Sequence, residues 1–350
     1  MPLKVIFLPG LGCSKLYVNG NYLVPTIEGG IMNLKLDSVG NDMAGNLVEA
    51  KSILLNISDK IPVYGPLVNF FEKRGFAFHN ANDSIKNGNT LYAFPYDFRK
   101  DIGIASNALE RFVITIKEES KTNDVIIISH SMGNLVALDC ILKPSSHGLV
   151  SKLVCIAPPF DGVPQVYASL NYGTEFPLPK TSPIGLDPKE FQALVVNWQG
   201  LYQLFPFNFY DDASRGFYSK QNKTLSLRET YEKSESLNQA MVSRAKSWKE
   251  DLIHKWEESD FKDIHLISGE IPENKTICHI NENISSGTTN VSYGTCIGDG
   301  TIPKSSCEKI SHDSNLRPII HKYSYKGIDA EHNALTRNTQ ILEKIFSIIS

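Results

Sequence analysis

Val125-Ile126-Ile127-Ile128-Ser129-His130-Ser131-Met132-Gly133-Asn134-Leu135-Val136-Ala137-Leu138 is the stretch whose reading decides the fold. It opens with a run of four β-branched residues, which suits a parallel strand covered on both faces. Its second half carries Leu135, Leu138, Ile141 and Leu142 at helical spacing. Between strand and helix stands Ser131, in a small-x-Ser-x-Gly frame. Such a frame marks a nucleophile elbow, a tight corner that holds its serine in a strained backbone conformation. The corner needs small residues two places either side. Gly133 supplies one and Ser129 the other, where most elbows have glycine. The plainer reading is a strand–helix turn that happens to hold a serine. The β-branched strand, His130 before the serine and the helix after it favour the elbow.

Outward from this stretch the chain alternates. Residues 3–8 read as a first strand, ending at Pro9-Gly10-Leu11-Gly12. A helix is expected near 64–74, a strand at Thr90–Phe94, a helix near 102–121 and a strand at Leu149–Ala157. Residues 13–60 are turn-rich and give no clear assignment. This alternation predicts an α/β protein with a mostly parallel central sheet flanked by helices, the α/β-hydrolase fold. The alternation stops at 160 and resumes with a strand at 263–268. The expected organisation is therefore a core of 1–159 and 261–350, with 160–260 inserted as a cap. Eight aromatic residues crowd residues 198–218 of that insert. They either pack the cap's own small core or wall an apolar substrate. A long helix is expected near 237–257, its start capped by Ser236 and Gln239. A polar excursion carrying Cys278 and Cys296 follows, then a strand at 321–325, and Glu331-His332-Asn333 opens the last helix.

A serine hydroxyl is a poor nucleophile without a base, and the base needs a carboxylate to hold its tautomer. In this fold the chain order is Ser, acid, His. Asp299, in Gly298-Asp299-Gly300, is the candidate acid, although aspartate in such a turn is ordinarily just a turn former. His332 is the candidate base, with His312 and His321 as rivals. His130 is read as a packing residue. The oxyanion formed on attack needs two N–H donors. Met132 at the start of the elbow helix is one candidate and Leu11, in the glycine-rich corner after the first strand, the other. Gly12, Phe98, Phe160, Trp198 and Phe205 form the expected substrate pocket.

Composition narrows the functions. The chain has 350 residues, 41% of them hydrophobic, and 38 acidic against 35 basic residues. That balance disfavours a nucleic-acid partner. No apolar run approaches the roughly 20 residues of a membrane span. The apolar run after Met1 is too short for a signal peptide. The expected location is cytoplasmic or peripheral to a membrane, or secreted or luminal if the chain is a processed form. Six Asn-x-Ser/Thr sequons occur, at Asn56, Asn82, Asn222, Asn274, Asn283 and Asn290. Without a leader they carry little weight. Cys13, Cys140 and Cys155 read as buried thiols. Among Cys278, Cys296 and Cys307 a disulfide is open, with no pairing assigned. No Cys/His grouping has zinc spacing, so neither a metal nor another cofactor is expected.

Pro9-Gly10-Leu11-Gly12-Cys13-Ser14-Lys15-Leu16, Pro95-Tyr96-Asp97-Phe98-Arg99, His130-Ser131-Met132-Gly133-Asn134, Gly298-Asp299-Gly300-Thr301-Ile302-Pro303 and Glu331-His332-Asn333 occur in this order. Together they resemble the lecithin:cholesterol acyltransferase family, which includes lysosomal phospholipase A2 and phospholipid:diacylglycerol acyltransferases. The family's Asp-Trp-Arg stands here as Asp97-Phe98-Arg99. The resemblance implies a capped α/β-hydrolase core, a Ser131–Asp299–His332 triad, an oxyanion donor near Leu11 and glycerolipid ester chemistry through an acyl-enzyme. The expected partner is a lipid or long-chain ester, with peripheral membrane contact through the cap. A soluble carboxylesterase or thioesterase of the same fold is the alternative. An inactive lipid-binding protein is the reading from another class.

Overall fold

The computed structural model describes residues 2–23, 30–58, 60–120, 124–146, 148–173, 186–207, 218–221, 223–232, 234–259, 261, 263–285, 288–311 and 319–350. Its centre is a seven-stranded sheet made of β1 (Lys4–Leu8), β2 (Ala77–Asn80), β3 (Thr90–Ala93), β4 (Val125–His130), β5 (Val150–Ile156), β6 (Asp263–Glu270) and β7 (Ile319–Lys326). The strand order is β7-β6-β5-β4-β1-β3-β2, and every pairing is parallel. All five residues of β1 and all six of β4 are buried. That is the behaviour expected of β-branched runs covered on both faces.

The covering helices are α1 (Gly65–Glu72), α2 (Ile102–Ser120), α3 (Gly133–Ile141) and α7 (Thr339–Ile349). The buried face of α2, with Ala105, Leu109, Val113 and Ile116, is the one its sequence spacing indicates. The elbow helix α3 is buried at every position. It is met by α6 (Gln239–Glu258), whose Trp248 Nε1 donates to Asp139 Oδ1 at 3.1 Å.

The order of strands creates the crevice. The chain runs from β1 out to β2, back to β3, then crosses β1 to reach β4. Loops leaving β1 and β4 therefore diverge from neighbouring strand ends, the arrangement that opens a binding site in parallel sheets. Leu8 pairs with Ser129 in register, so Pro9-Gly10 begins beside His130-Ser131.

Between β5 and β6 lie α4 (Pro164–Tyr172), α5 (Pro188–Val195), a short helix at Gln199–Tyr202 and α6. The aromatic residues of this region mostly face one another. Phe205 and Tyr231 stack at 4.8 Å and 9°, and Tyr167 lies 6.0 Å from Phe205 and 5.2 Å from Tyr218. Phe209, Tyr210 and Phe217 lie outside the described residues, as do His312 and Asn222.

Several local expectations change. Residues 13–60 contain a small antiparallel sheet of Ser14–Val18, Asn21–Tyr22 and Val48–Ile53. Its hairpin turns on Asn19-Gly20, both at positive φ, as a tight two-residue turn requires. The polar excursion is a hairpin, Thr276–Ser285 with Thr288–Cys296, extended by strands at Tyr218–Lys220 and Lys223–Leu225. The cap of α6 is Asn238, whose side chain accepts from Met241 N–H, rather than Ser236. A single 3-10 turn, Ala334–Thr336, separates His332 from α7, so Glu331-His332-Asn333 leads into that turn instead of opening the helix. All six cysteines are free thiols. Among the described residues no helix is long and apolar enough to cross a membrane.

Candidate active site

Ser131 stands at the carboxyl end of β4 with φ of 53°, the left-handed region that a side chain adopts only under constraint. The constraint is visible. Ser131 N–H donates to Ile156 carbonyl at 3.0 Å. Asn134 Nδ2 donates to the carbonyls of Ser131 and Ile156, at 2.8 and 2.9 Å. Ser129 Oγ in turn donates to Asn134 Oδ1 at 2.6 Å. The serine at the first small position thus orients the amide that clamps the corner. At the second small position, a Cβ on Gly133 would lie 2.6 Å from Pro9 carbonyl oxygen. No side chain fits there.

The three chemically paired residues meet. His332 Nε2 lies 2.9 Å from Ser131 Oγ, and His332 Nδ1 lies 2.8 Å from Asp299 Oδ2. Asp299 is anchored through its other oxygen, which accepts from Thr301 N–H at 2.9 Å and Ile302 N–H at 2.6 Å. All three side chains are buried, Ser131 being 9% exposed. Of the two rivals for the base, His321 lies on β7 and stacks on His265.

One bare glycine position brings acid and base together. Gly269, near the end of β6, would place a Cβ 2.1 Å from Ala330 carbonyl oxygen and 3.0 Å from Asp299 Cβ. The acid turn and the histidine loop both pack over this bare position. His332 N–H also donates to Asp299 carbonyl at 2.9 Å.

His130 does more than pack. Its Nε2 lies 3.1 Å from His332 carbonyl oxygen, and its Nδ1 lies 2.8 Å from Tyr64 hydroxyl. The carbonyl can only accept, so Nε2 carries the proton and Nδ1 accepts from Tyr64. The Tyr64 oxygen accepts from Gly10 N–H at 2.8 Å. One polar chain therefore joins the loop after β1 to the backbone of the base. Burial, then the nearby His332 ring, holds the His130 pKa well below the ordinary imidazole value. It stays neutral, as these bonds require. No sequence signal pointed to Tyr64, which sits at the mouth of a helix far from the motifs.

For His332, burial alone lowers the pKa. The charge of Asp299 and its hydrogen bond outweigh that and raise it overall. An imidazole held this way is a stronger base.

The loop after β1 is fixed by Tyr96, whose hydroxyl donates to Pro9 carbonyl at 2.9 Å. Neither Leu11 N–H nor Met132 N–H makes a hydrogen bond to another described residue. Gly12 and Phe98 share a cavity of about 50 Å3 with Leu16, Leu23 and Leu34. Trp198 packs edge-on against Phe98 at 5.7 Å and donates Nε1 to Leu34 carbonyl at 3.1 Å. Phe205 is fully buried within the aromatic cluster, and Phe160 is fully buried too, its carbonyl accepting from Lys249 Nζ at 3.0 Å. The flanking charges of the Asp97-Phe98-Arg99 motif are structural. Arg99 forks onto Asp97 at 2.9 and 2.6 Å and reaches Asp42 at 2.7 Å and Leu34 carbonyl at 3.0 Å.

A family model described as lecithin:cholesterol acyltransferase matches residues 77–287. A search of curated proteins finds no match. Among solved structures, a chain of the Tle4–Tli4 complex superposes with a TM-score of 0.65 at 14% identity, covering 99% of this chain and 98% of that one. The lin2722 product of Listeria innocua gives 0.44 at 12% identity over 100% and 94% of the two chains. The lipase BlEst2 of Bacillus licheniformis gives 0.44 at 10% over 100% and 92%. At 14% identity the first of these speaks for the fold alone.

Proposed function

This chain belongs to the lecithin:cholesterol acyltransferase family, and from that membership we propose a serine-dependent lipid acyl hydrolase or acyltransferase acting on glycerolipid or phospholipid esters. Lipid ester chemistry is what the family supports. The observation that carries the mechanism is His332 bridging Ser131 and Asp299 at 2.9 and 2.8 Å.

Neutral His332, with its Nδ1 proton on Asp299, takes the Ser131 proton at Nε2 as Oγ attacks the ester carbonyl. Leu11 and Met132 N–H groups receive the oxyanion, a role their lack of internal partners supports. The imidazolium then protonates the leaving alcohol. The acyl group stays on Ser131 until water, or another alcohol deprotonated by His332, removes it. Residues 160–260 serve as the cap, joined by the 276–296 hairpin through their shared sheet. The cap is the surface through which the protein meets lipid.

Labelled phospholipid vesicles test this. Ser131→Ala should abolish acyl release while leaving the far-UV circular dichroism unchanged; undiminished release would remove the serine mechanism. Adding sterol or diacylglycerol separates the two fates, since labelled sterol ester or triacylglycerol means transfer and fatty acid alone means hydrolysis. One observation favours a second reading. The cavity at Gly12 and Phe98, about 50 Å3, is too small for a long acyl chain as it stands. A short-chain carboxylesterase would show its highest kcat/KM on acetyl or butyryl esters, and a lipase on long-chain ones.

A further inference from the structure

At the opposite ends of the strands from Ser131, three side chains of the sheet edge converge. Asp263 and His265 are two apart on β6, so both face one side of the sheet. His321 on β7 is the in-register neighbour of His265 and stands on that same side. The two imidazoles stack at 4.6 Å and 12°. One ligating atom from each of the three residues lies within 4.8 Å of the others. His265 is buried, Asp263 half-buried and His321 exposed.

The arrangement around His265 is unusual. Its Nε2 lies 2.7 Å from Asp263 Oδ1, yet off the line of an N–H···O bond, so this buried nitrogen has no hydrogen-bond partner. Its Nδ1 meets Tyr323 hydroxyl at 3.2 Å, and the two rings are parallel. In the tautomer with the proton on Nδ1, donated to Tyr323, the Nε2 lone pair faces a carboxylate oxygen. Two acceptors at that distance repel unless a cation lies between them or beside them. Lys152 Nζ, 3.6 Å from Asp263 Oδ2, attends the other oxygen and leaves Oδ1 to the site.

The geometry points to a binding site for a divalent transition-metal ion of the zinc class, with His265 Nε2, His321 and Asp263 Oδ1 as ligands. Two imidazoles and a carboxylate are a donor set that Zn2+ accepts, with water completing a tetrahedron. Bonds of about 2.0–2.2 Å require the donors to draw together. Exposed His321 can rotate to do so. Tyr323 supplies the outer hydrogen bond that fixes the tautomer of a ligating histidine. The site lies where β6 and β7 begin, while the triad loops leave the far ends, so its role is to fasten the edge strand rather than to catalyse. It was invisible as a spacing motif because only the parallel register unites its two halves.

Full-length protein stripped with a chelator tests the site. Calorimetric titration with Zn2+ should show one equivalent bound and an upward shift in Tm. Co2+ should give visible d–d absorption without thiolate charge transfer. His321→Ala, a change at an exposed side chain, should lose both the Co2+ spectrum and the Tm shift, while stripped variant and stripped wild type hydrolyse ester equally. Tyr323→Phe should weaken binding by about 10- to 100-fold. The site is overturned by absence of binding in the wild type, or by unchanged affinity in His321→Ala. It is equally overturned by thiolate bands that disappear in Cys278→Ser/Cys296→Ser, which would place the ion on the hairpin.

Discussion

At the scale of single residues, proton placement governs the site. In the proposed mechanism His332 must be neutral to take the Ser131 proton, and Asp299 outweighs burial to raise its pKa. Ester hydrolysis should therefore fall as pH drops, along a limb centred above the ordinary imidazole value of about 6.5. Asp299→Asn removes the cause. A pH–rate profile of that variant should show the limb displaced to lower pH and kcat reduced by roughly 10^4-fold. The same raised pKa has an opposite effect on folding. Protonated His332 contributes stability that is fully present below about 6.5 and is lost as pH rises through the folded-state value. Activity and this part of stability thus favour opposite sides of one titration. Tyr64 offers a second test. Tyr64→Phe orphans Gly10 N–H and His130 Nδ1, both buried. Denaturant unfolding should register a loss of about 1–3 kcal/mol, and kcat should fall with KM little changed. A variant as active and as stable as wild type would show that the Tyr64–His130 chain positions nothing.

At the scale of elements, the site depends on backbones allowed to touch. Gly269→Ala puts a methyl where Ala330 carbonyl and Asp299 already lie. The acid turn and histidine loop must then part. Misplacement by about 1 Å costs on the order of 10^2 in rate, so esterase assays should lose far more than thermal unfolding does. Elements with one dominant pattern were legible from sequence. The β-branched run of β4 and the apolar face of α2 announced themselves, because burial on two faces or on one stripe leaves a simple trace. The meeting of Ser131, Asp299 and His332 was legible through motif order. What escaped were features made by contacts between distant segments. Gly269 looks like any glycine within a strand, and Asn238 competes locally with Ser236 as a cap. The hairpin of 276–296 escaped because its strands are short on apolar residues, with pairing carried mainly by backbone hydrogen bonds. Ser129 looked like a departure, and only its bond to Asn134 explains it.

At the scale of the whole molecule, the serine, the acid and the base come from three regions of the chain, and Ser131 meets its base 201 positions away. The sheet grows from β1 outward in both directions, and the strand that carries the histidine loop is an edge, β7. Contacts of such long separation form late, because loop closure precedes their reward. During refolding from denaturant, far-UV signal should return before esterase activity, with activity following the slowest phase; simultaneous recovery would contradict this order. The proposed nucleophile therefore comes with a built-in delay. A chain emerging from the ribosome presents the elbow long before it presents a base to arm it. Under the mechanism proposed above, a half-made copy carries its serine without the base that would arm it.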